Sequence, residues 1–322
     1  MNIVPQIDPW MRRRSLPAGG ERLFLPLRDG WPVRLEHWPR RDPHGSHVLI
    51  ITGRGDFAEK YAETLHDLID SGWGVTIFDW RGQGLSRRLG KTPMHGASPI
   101  GARGGFDVWL DDLNELVTWT TDRSGGPTVA MAHSMGGHLL LRHLAAGRGG
   151  IARAVVLAPM LGLTAPPLGP GIARWLAGVM TKHQRGGDFV LGGGPYEAGV
   201  AGSSRQFLLT SDPERYRDEA WWIGQFPALA MGSVTWGWLN DAFASLAVLT
   251  ARGVPEAIKV PVLALIPEKD GLVNSKATRQ FIARIPGGET IAYPGVGHEL
   301  LREAEPLRSS ILARARDFLG EK

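Results

Sequence analysis

Five unbroken apolar runs constrain this chain more than anything else in it. They are His47-Val48-Leu49-Ile50-Ile51-Thr52, Gly74-Val75-Thr76-Ile77-Phe78-Asp79, Thr128-Val129-Ala130-Met131-Ala132, Ala154-Val155-Val156-Leu157-Ala158 and Val260-Pro261-Val262-Leu263-Ala264-Leu265-Ile266. None keeps the polar–apolar alternation of a half-exposed strand, so each predicts a strand covered on both faces, as in parallel sheets. Stretches with helical spacing lie between them. Tyr61, Leu65, Leu68 and Ile69 share one side of 58–71, and Trp109, Leu113, Leu116 and Val117 one side of 106–119. Strand and helix in repeated alternation predict an α/β fold with a mostly parallel sheet of about eight strands, flanked by helices.

The ends and one interruption complete the outline. Arg22 to Arg28 and Trp31 to Trp38 alternate around Asp29-Gly30, the signature of a hairpin. Beyond the last apolar run, residues 273–285 predict a helix, 290–293 a short strand and 307–319 a closing helix. Residues 160–255 have a different texture, rich in Gly, Pro and Trp, with weak periodicity. A segment that interrupts an α/β core and then lets it resume is a cap. The expected organisation is therefore an irregular leader over 1–20, a core over 21–160 and 256–322, and a cap, or lid, over 161–255. The tryptophans of the cap are expected mainly to pack, with the lining of an acyl channel as the alternative.

The run at Thr128 passes into Ala132-His133-Ser134-Met135-Gly136-Gly137 and then into an apolar stretch of helical length. Strand, one serine between small residues, then helix is the nucleophile elbow, the G-x-S-x-G pattern, here with Ala132 in the first glycine position. A serine nucleophile needs a base, and the base needs an orienting carboxylate. Asp270 follows the strand predicted to end at Ile266, and His298 follows the strand predicted to end near Tyr293. The order Ser, Asp, His, each after a strand, predicts Ser134 as nucleophile, His298 as general base and Asp270 as its orienting acid, with Glu268 as the competing carboxylate. The oxyanion donors expected are the backbone N–H groups of Met135 and Arg54. The Arg54 side chain is expected in solvent, with a substrate phosphate or carboxylate as the alternative. His133 is expected to support the elbow, His95, His138 and His143 to be structural or exposed, and Asp79 to accept hydrogen bonds that fix a loop.

Composition removes several classes of function. The 322 residues contain no cysteine, which excludes disulfides, thiolate catalysis and zinc–thiolate sites. A net charge of +4 without a Lys/Arg block interleaved with aromatics argues against nucleic acid as a partner. Arg12-Arg13-Arg14 is expected to decorate a mobile N-terminus. No apolar stretch reaches the roughly 20 residues of a membrane span, and Pro5, Asp8 and Pro9 break the start as a signal peptide. The expectation is a soluble cytoplasmic protein, free to make peripheral contact with the anionic inner face of a membrane, with no cofactor and no metal.

At these residues the chain resembles a known group. Ala132-His133-Ser134-Met135-Gly136-Gly137 is similar to the elbow of bacterial lysophospholipases and monoacylglycerol lipases in the α/β-hydrolase superfamily, the serine aminopeptidase-type hydrolases. Gly53-Arg54 with Lys60-Tyr61-Ala62-Glu63 resembles their oxyanion loop and first helix. Asp79-Trp80-Arg81-Gly82-Gln83-Gly84-Leu85-Ser86 resembles the D-x-R-G-x-G-x-S signature, and Phe106 with Asp111-Asp112-Leu113 the helix before the elbow. Thr52-Gly53 stands where eukaryotic monoacylglycerol lipases usually have His-Gly, and the cap matches poorly. The resemblance implies the α/β-hydrolase fold and hydrolysis of one acyl ester of a lysophospholipid or monoacylglycerol through an acyl-enzyme. The same triad also serves acyltransferases, amidases and peptidases, and the fold alone would serve a catalytically silent lipid-binding scaffold.

Overall fold

The computed structural model describes residues 8–41, 45–86, 105–125 and 128–320, and the apolar runs form the middle of one eight-stranded sheet. Its strands are β1 (Glu21–Pro26), β2 (Pro32–Trp38), β3 (His47–Ile51), β4 (Gly74–Phe78), β5 (Thr128–His133), β6 (Ile151–Leu157), β7 (Val262–Pro267) and β8 (Gly288–Tyr293). The spatial order is β1-β2-β4-β3-β5-β6-β7-β8. The hairpin β1–β2 is antiparallel and joins β4 antiparallel, while every pair from β4 to β8 is parallel. Every residue of β3, β4, β5 and β7 is buried, which is why their sequences carry no alternation.

The helices are α1 (Pro9–Arg13), α2 (Ala62–Asp70), α3 (Gly105–Ser124), α4 (Ser134–Ala145), α5 (Gly169–Lys182), α6 (Ser204–Leu209), α7 (Pro213–Gln225), α8 (Trp236–Leu249), α9 (Ser275–Ile282) and α10 (Leu307–Gly320). Successive strands step one way from β3 to β4, and β5 then returns to the other side of β3. Such a reversal leaves a crevice at the carboxyl ends of the two diverging strands. The loop after β3 and the turn after β5 both open into it.

Two stretches differ from what the sequence suggested. The leader is not irregular throughout: Asp8 caps the short α1, with Pro9 in its first turn. Its three arginines are docked. Arg12 pairs with Asp67 and Asp70 on α2, and Arg13 and Arg14 both pair with Asp218 on α7. Three cations in a row looked like a solvated run because their acidic partners lie far away in sequence. The poorly periodic stretch contains helices α5 to α8. Three of them start at a side chain that accepts a hydrogen bond from the helix's own amide: Ser203, Asp212 and Thr235. Trp222, Trp236 and Trp238 are buried there, whereas Trp175 on α5 stands 67% exposed.

Buried charges tie the hairpin and the loop after β4 to the core. Arg81 makes a two-pronged contact with Asp112 on α3 and reaches Asp29 in the hairpin turn. Asp79 accepts from the amides of Ala58 and Leu85 and pairs with Arg34 at 2.6 Å, so it is the loop-fixing acceptor. Removing one partner of a buried pair leaves the other charge uncompensated, at a cost of about 3–5 kcal/mol. Arg81→Met should therefore lower stability by about that amount, because Asp112 is only 2% exposed, read as a lower urea midpoint at unchanged slope.

Candidate active site

β5 runs straight into α4 with Ser134 at the join, and Ser134 has φ 51°, a left-handed conformation rarely taken by a residue with a side chain. The turn is held by crowding. A Cβ on Gly136 would lie 2.4 Å from the carbonyl oxygen of Thr52 and 2.5 Å from that of Ile51, and one on Gly137 would lie 2.9 Å from Pro159 Cβ. Only glycine lets α4 come this close to the end of β3. Ser134 thus stands at the sheet edge with the amino end of α4 behind it, where the first amides of a helix have no carbonyl of their own.

His298 lies in the loop after β8, and its Nε2 is 2.9 Å from Ser134 Oγ. Its Nδ1 is 2.7 Å from Asp270 Oδ2. The other oxygen of Asp270 accepts from the amides of Leu272 and Val273. The Asp270 side chain is fully buried and His298 is 5% exposed. Burial would raise the Asp270 pKa, but the contact with His298 and the two amides hold it below the usual carboxylate value. An ionised Asp270 accepts the Nδ1 proton of His298, which leaves Nε2 to accept the proton of the serine hydroxyl. Glu268 takes no part in this chain; its amide donates to Tyr293 O in the sheet.

The loop after β3 packs against Ser134. A Cβ on Gly53 would lie 3.3 Å from Ser134 Cβ. The Gly53 amide donates to Asp56 and the Gly55 amide to Gln83, with Arg54 between them. The Arg54 side chain is half-buried instead of solvated. It donates to the carbonyls of Gly232 and Ser233 and lies over the Trp238 ring at 5.5 Å. His138 and His143 are buried and bonded to Met160 O and Gly149 O, and His95 falls outside the described residues.

A charged cluster beneath His298 was not legible as a unit in the sequence. Asp56 receives Gly53 N–H, Tyr61 O–H, Lys60 and His133. Lys60 also pairs with Glu219 and Glu299, and Arg302 with Glu299. A cavity of about 30 Å³ lies among Asp56, Tyr61, His133, Glu299 and Arg302. Leu157, Leu300 and Leu301 line it as well, and most of its exposed wall is apolar. His133 has Nδ1 3.0 Å from Asp56 Oδ2 and Nε2 3.2 Å from the carbonyl oxygen of His298. Both nitrogens face acceptors, so both bonds form only when the ring is an imidazolium. Burial disfavours that charge, yet the bond to Asp56 and its carboxylate outweigh burial and raise the pKa above 6.5. Among the described residues no group of His, Asp or Glu is arranged to hold a metal ion.

The segment over the site is bonded directly to the His298 loop. Leu208 O accepts from the His298 amide at 2.9 Å, and Leu209 O from the Glu299 amide at 2.8 Å. Gly297 lies so near that a Cβ on it would come 2.4 Å from Leu209 C.

Comparison with known proteins agrees with this architecture. Residues 42–305 match the family described as Serine aminopeptidase, S33. Lysophospholipase L2 of Escherichia coli is 28% identical over an alignment that covers 98% of this chain and 90% of that protein. Probable lysophospholipase L2 of Haemophilus influenzae is 26% identical, with 85% of this chain and 83% of that protein covered. The crystal structure of a soluble variant of monoglyceride lipase from Saccharomyces cerevisiae superposes with a TM-score of 0.72 at 18% identity, covering 95% of this chain and 97% of that one.

Two outcomes follow from this geometry. A group with a raised pKa stabilises the fold fully below its unfolded value and loses that contribution as pH rises through the folded value. The stability gap between the parent and His133→Asn should therefore be widest below pH 6.5 and narrow in alkali, measured by urea unfolding across pH. Gly297→Ala should force the His298 loop and Leu209 apart and cut kcat by at least about tenfold, since misplacement of reacting groups is costly, and because the clash is with backbone it should also lower the midpoint of unfolding. With matches over most of its length and an eight-stranded sheet of this topology, the chain belongs to the serine aminopeptidase S33 family of α/β hydrolases and is a carboxylic-ester hydrolase.

Proposed function

We propose that the protein hydrolyses the acyl ester of a lysophospholipid or a monoacylglycerol, with Ser134 as nucleophile, His298 as general base and Asp270 as its orienting acid. The observation that carries this reading is the unbroken hydrogen-bonded chain from Ser134 Oγ through His298 to Asp270, at 2.9 and 2.7 Å. His298 Nε2 takes the hydroxyl proton as Ser134 Oγ bonds to the ester carbonyl carbon. The tetrahedral intermediate collapses, the C–O bond to the glycerol breaks, and His298 returns the proton to the departing alkoxide. Water then attacks the acyl-enzyme by the same exchange, releasing the fatty acid and restoring Ser134.

The backbone N–H groups of Met135 and Arg54 fit the developing oxyanion. Met135 follows Ser134 in the first turn of α4, where the helix dipole favours negative charge. Arg54 sits in the loop packed on Ser134, between two glycines whose amides are engaged elsewhere. One such donor is worth about 2.7–4 kcal/mol of barrier.

Support for a lipid comes from the relatives' activities and from the apolar side chains at the site. Phe207, Leu208 and Leu272 are exposed beside the His298 and Asp270 loops. In this reading residues 161–255 are the lid over a core formed by 21–160 and 256–322, and the enzyme works in the cytoplasm, in peripheral contact with the inner membrane face. Among the described residues no helix is long and apolar enough to cross a membrane.

The test is an activity panel of p-nitrophenyl esters, monoacylglycerols and lysophospholipids, run beside Ser134→Ala. A fluorophosphonate should label Ser134 in the parent and nothing in the variant, and turnover should fall about a millionfold, as for other serine triads. Labelling of Ser134 with no hydrolysis of any lipid would overturn the substrate class and leave the nucleophile.

A further inference from the structure

The loop that carries Arg54 is fastened on both flanks and, between them, by the Arg54 side chain itself. On one flank the Gly53 amide donates to Asp56 at 2.9 Å, and a Cβ on Gly53 would lie 2.8 Å from both Asp56 Oδ2 and His133 Nδ1. On the other the Gly55 amide donates to Gln83 Oε1 at 2.7 Å, with Gly55 in the left-handed region at φ 76°. Between them Arg54 reaches across to the stretch that precedes α8. One terminal nitrogen, Nη2, donates to the carbonyl oxygens of Gly232 at 2.9 Å and Ser233 at 2.8 Å, and the guanidinium lies over the Trp238 ring at 5.5 Å.

The acceptors are themselves held. The Ser233 amide donates to Gly194 O, and the Ser233 hydroxyl accepts from the Gly194 amide. Val234 O accepts from the Val190 amide, and the Thr235 side chain caps α8, which buries Trp236 and Trp238. Hydrogen bonds from a guanidinium are charge-assisted and stronger than neutral ones. The Arg54 side chain thus ends on anchored backbone, and its strongest effect is on the position of its own main chain. That main chain is what the reading above uses, because the Arg54 N–H is one of the two donors to the oxyanion. Such a donor lowers the barrier only if it is aimed before the reaction begins, and a peptide flanked by glycines has the most freedom to turn away.

We propose that Arg54 is a positioning residue: its side chain, clamped to the carbonyls of Gly232 and Ser233, fixes the direction of its own amide, so that the stretch between β6 and β7 completes the oxyanion hole. This deepens the reading above and rests on it. The guanidinium does not touch the ester. Moving residues 232 and 233 away from the loop releases the amide and leaves an enzyme that binds the ester and attacks it slowly.

The test compares the parent, Arg54→Met, Arg54→Lys and Ser134→Ala on p-nitrophenyl butyrate. A trifluoromethyl ketone of the same chain length serves as inhibitor, since it adds to the serine oxygen and places an oxyanion in the hole. Arg54→Met keeps an unbranched stem and removes the donors. Its kcat should fall about tenfold with KM changed by less than about twofold, because a donor removed outright costs about 10²–10³-fold and one left loose costs less. The ketone Ki should rise by the factor by which kcat/KM falls. Arg54→Lys keeps the charge on a shorter arm without the fork and should recover part of both, and it gives the same proportionality where Arg54→Met does not fold. A lower urea midpoint with kcat and Ki at parent values would overturn the clamp. A higher KM at unchanged kcat would also overturn it, because the guanidinium would then be touching substrate. Turnover lost in Ser134→Ala beside parent kcat in Arg54→Met would overturn the clamp and keep the nucleophile, whereas turnover retained in Ser134→Ala would overturn the nucleophile and the clamp with it.

Discussion

Close backbone contact at the end of β3 is the constraint on which the site depends. Gly136 brings the first turn of α4 against the carbonyls of Ile51 and Thr52, at separations where any Cβ would collide. That contact sets the join between β5 and α4 and keeps Ser134 at φ 51°. A residue held in a sparsely populated region persists only where its surroundings over-determine it. Here the surroundings are two central strands, buried along their whole length, on either side of the point where the strand order reverses. Ser134 is held between two fully buried strands, and the loop after β3 is brought alongside it by the same contact.

Charge plays the complementary part below the site. Lys60, Arg302 and the His133 imidazolium face Asp56, Glu219 and Glu299, three cations against three carboxylates with little solvent access. Burying ions costs several kcal/mol each unless partners and hydrogen bonds are complete, and here the partners come from the loop after β3, the end of β5, α7 and the His298 loop. The cluster therefore gains nothing until all four segments are in place. It joins the loop after β3 to the loop after β8, and His133 ends in a bond to the backbone of His298 itself.

The sheet could be read from the sequence because a strand buried on both faces leaves a mark no other element leaves, as in Val48 to Ile51 or Leu263 to Ile266. Ser134 stood out because the residues two before and two after it, Ala132 and Gly136, are small for a steric reason, and Asp270 and His298 because each follows a strand within a few residues. The helices over the site were obscured by the glycine-rich segments between them, although Asp212-Pro213 is a legible start signal for α7. The charged cluster was hidden for another reason. Lys60 and Glu299 are 239 positions apart, and no local pattern announces a pairing at that distance. The same holds for Arg13 and Arg14 with Asp218, which turned an apparent tail into a docked segment.

The two backbone hydrogen bonds from Leu208 and Leu209 to the His298 loop bear on how a substrate can enter. They tether α6 to the loop that carries His298, so lifting that helix would strip partners from the amides of His298 and Glu299, at roughly 1 kcal/mol or more for each bond. The stretch that leads into α5 is tied in the same way to the Asp270 loop, where Thr164 donates to the carbonyls of Gly271 and Leu272. Both the Asp270 and the His298 loops are thus fastened to the stretch between β6 and β7, and any opening for substrate that shifts this stretch moves both side chains together.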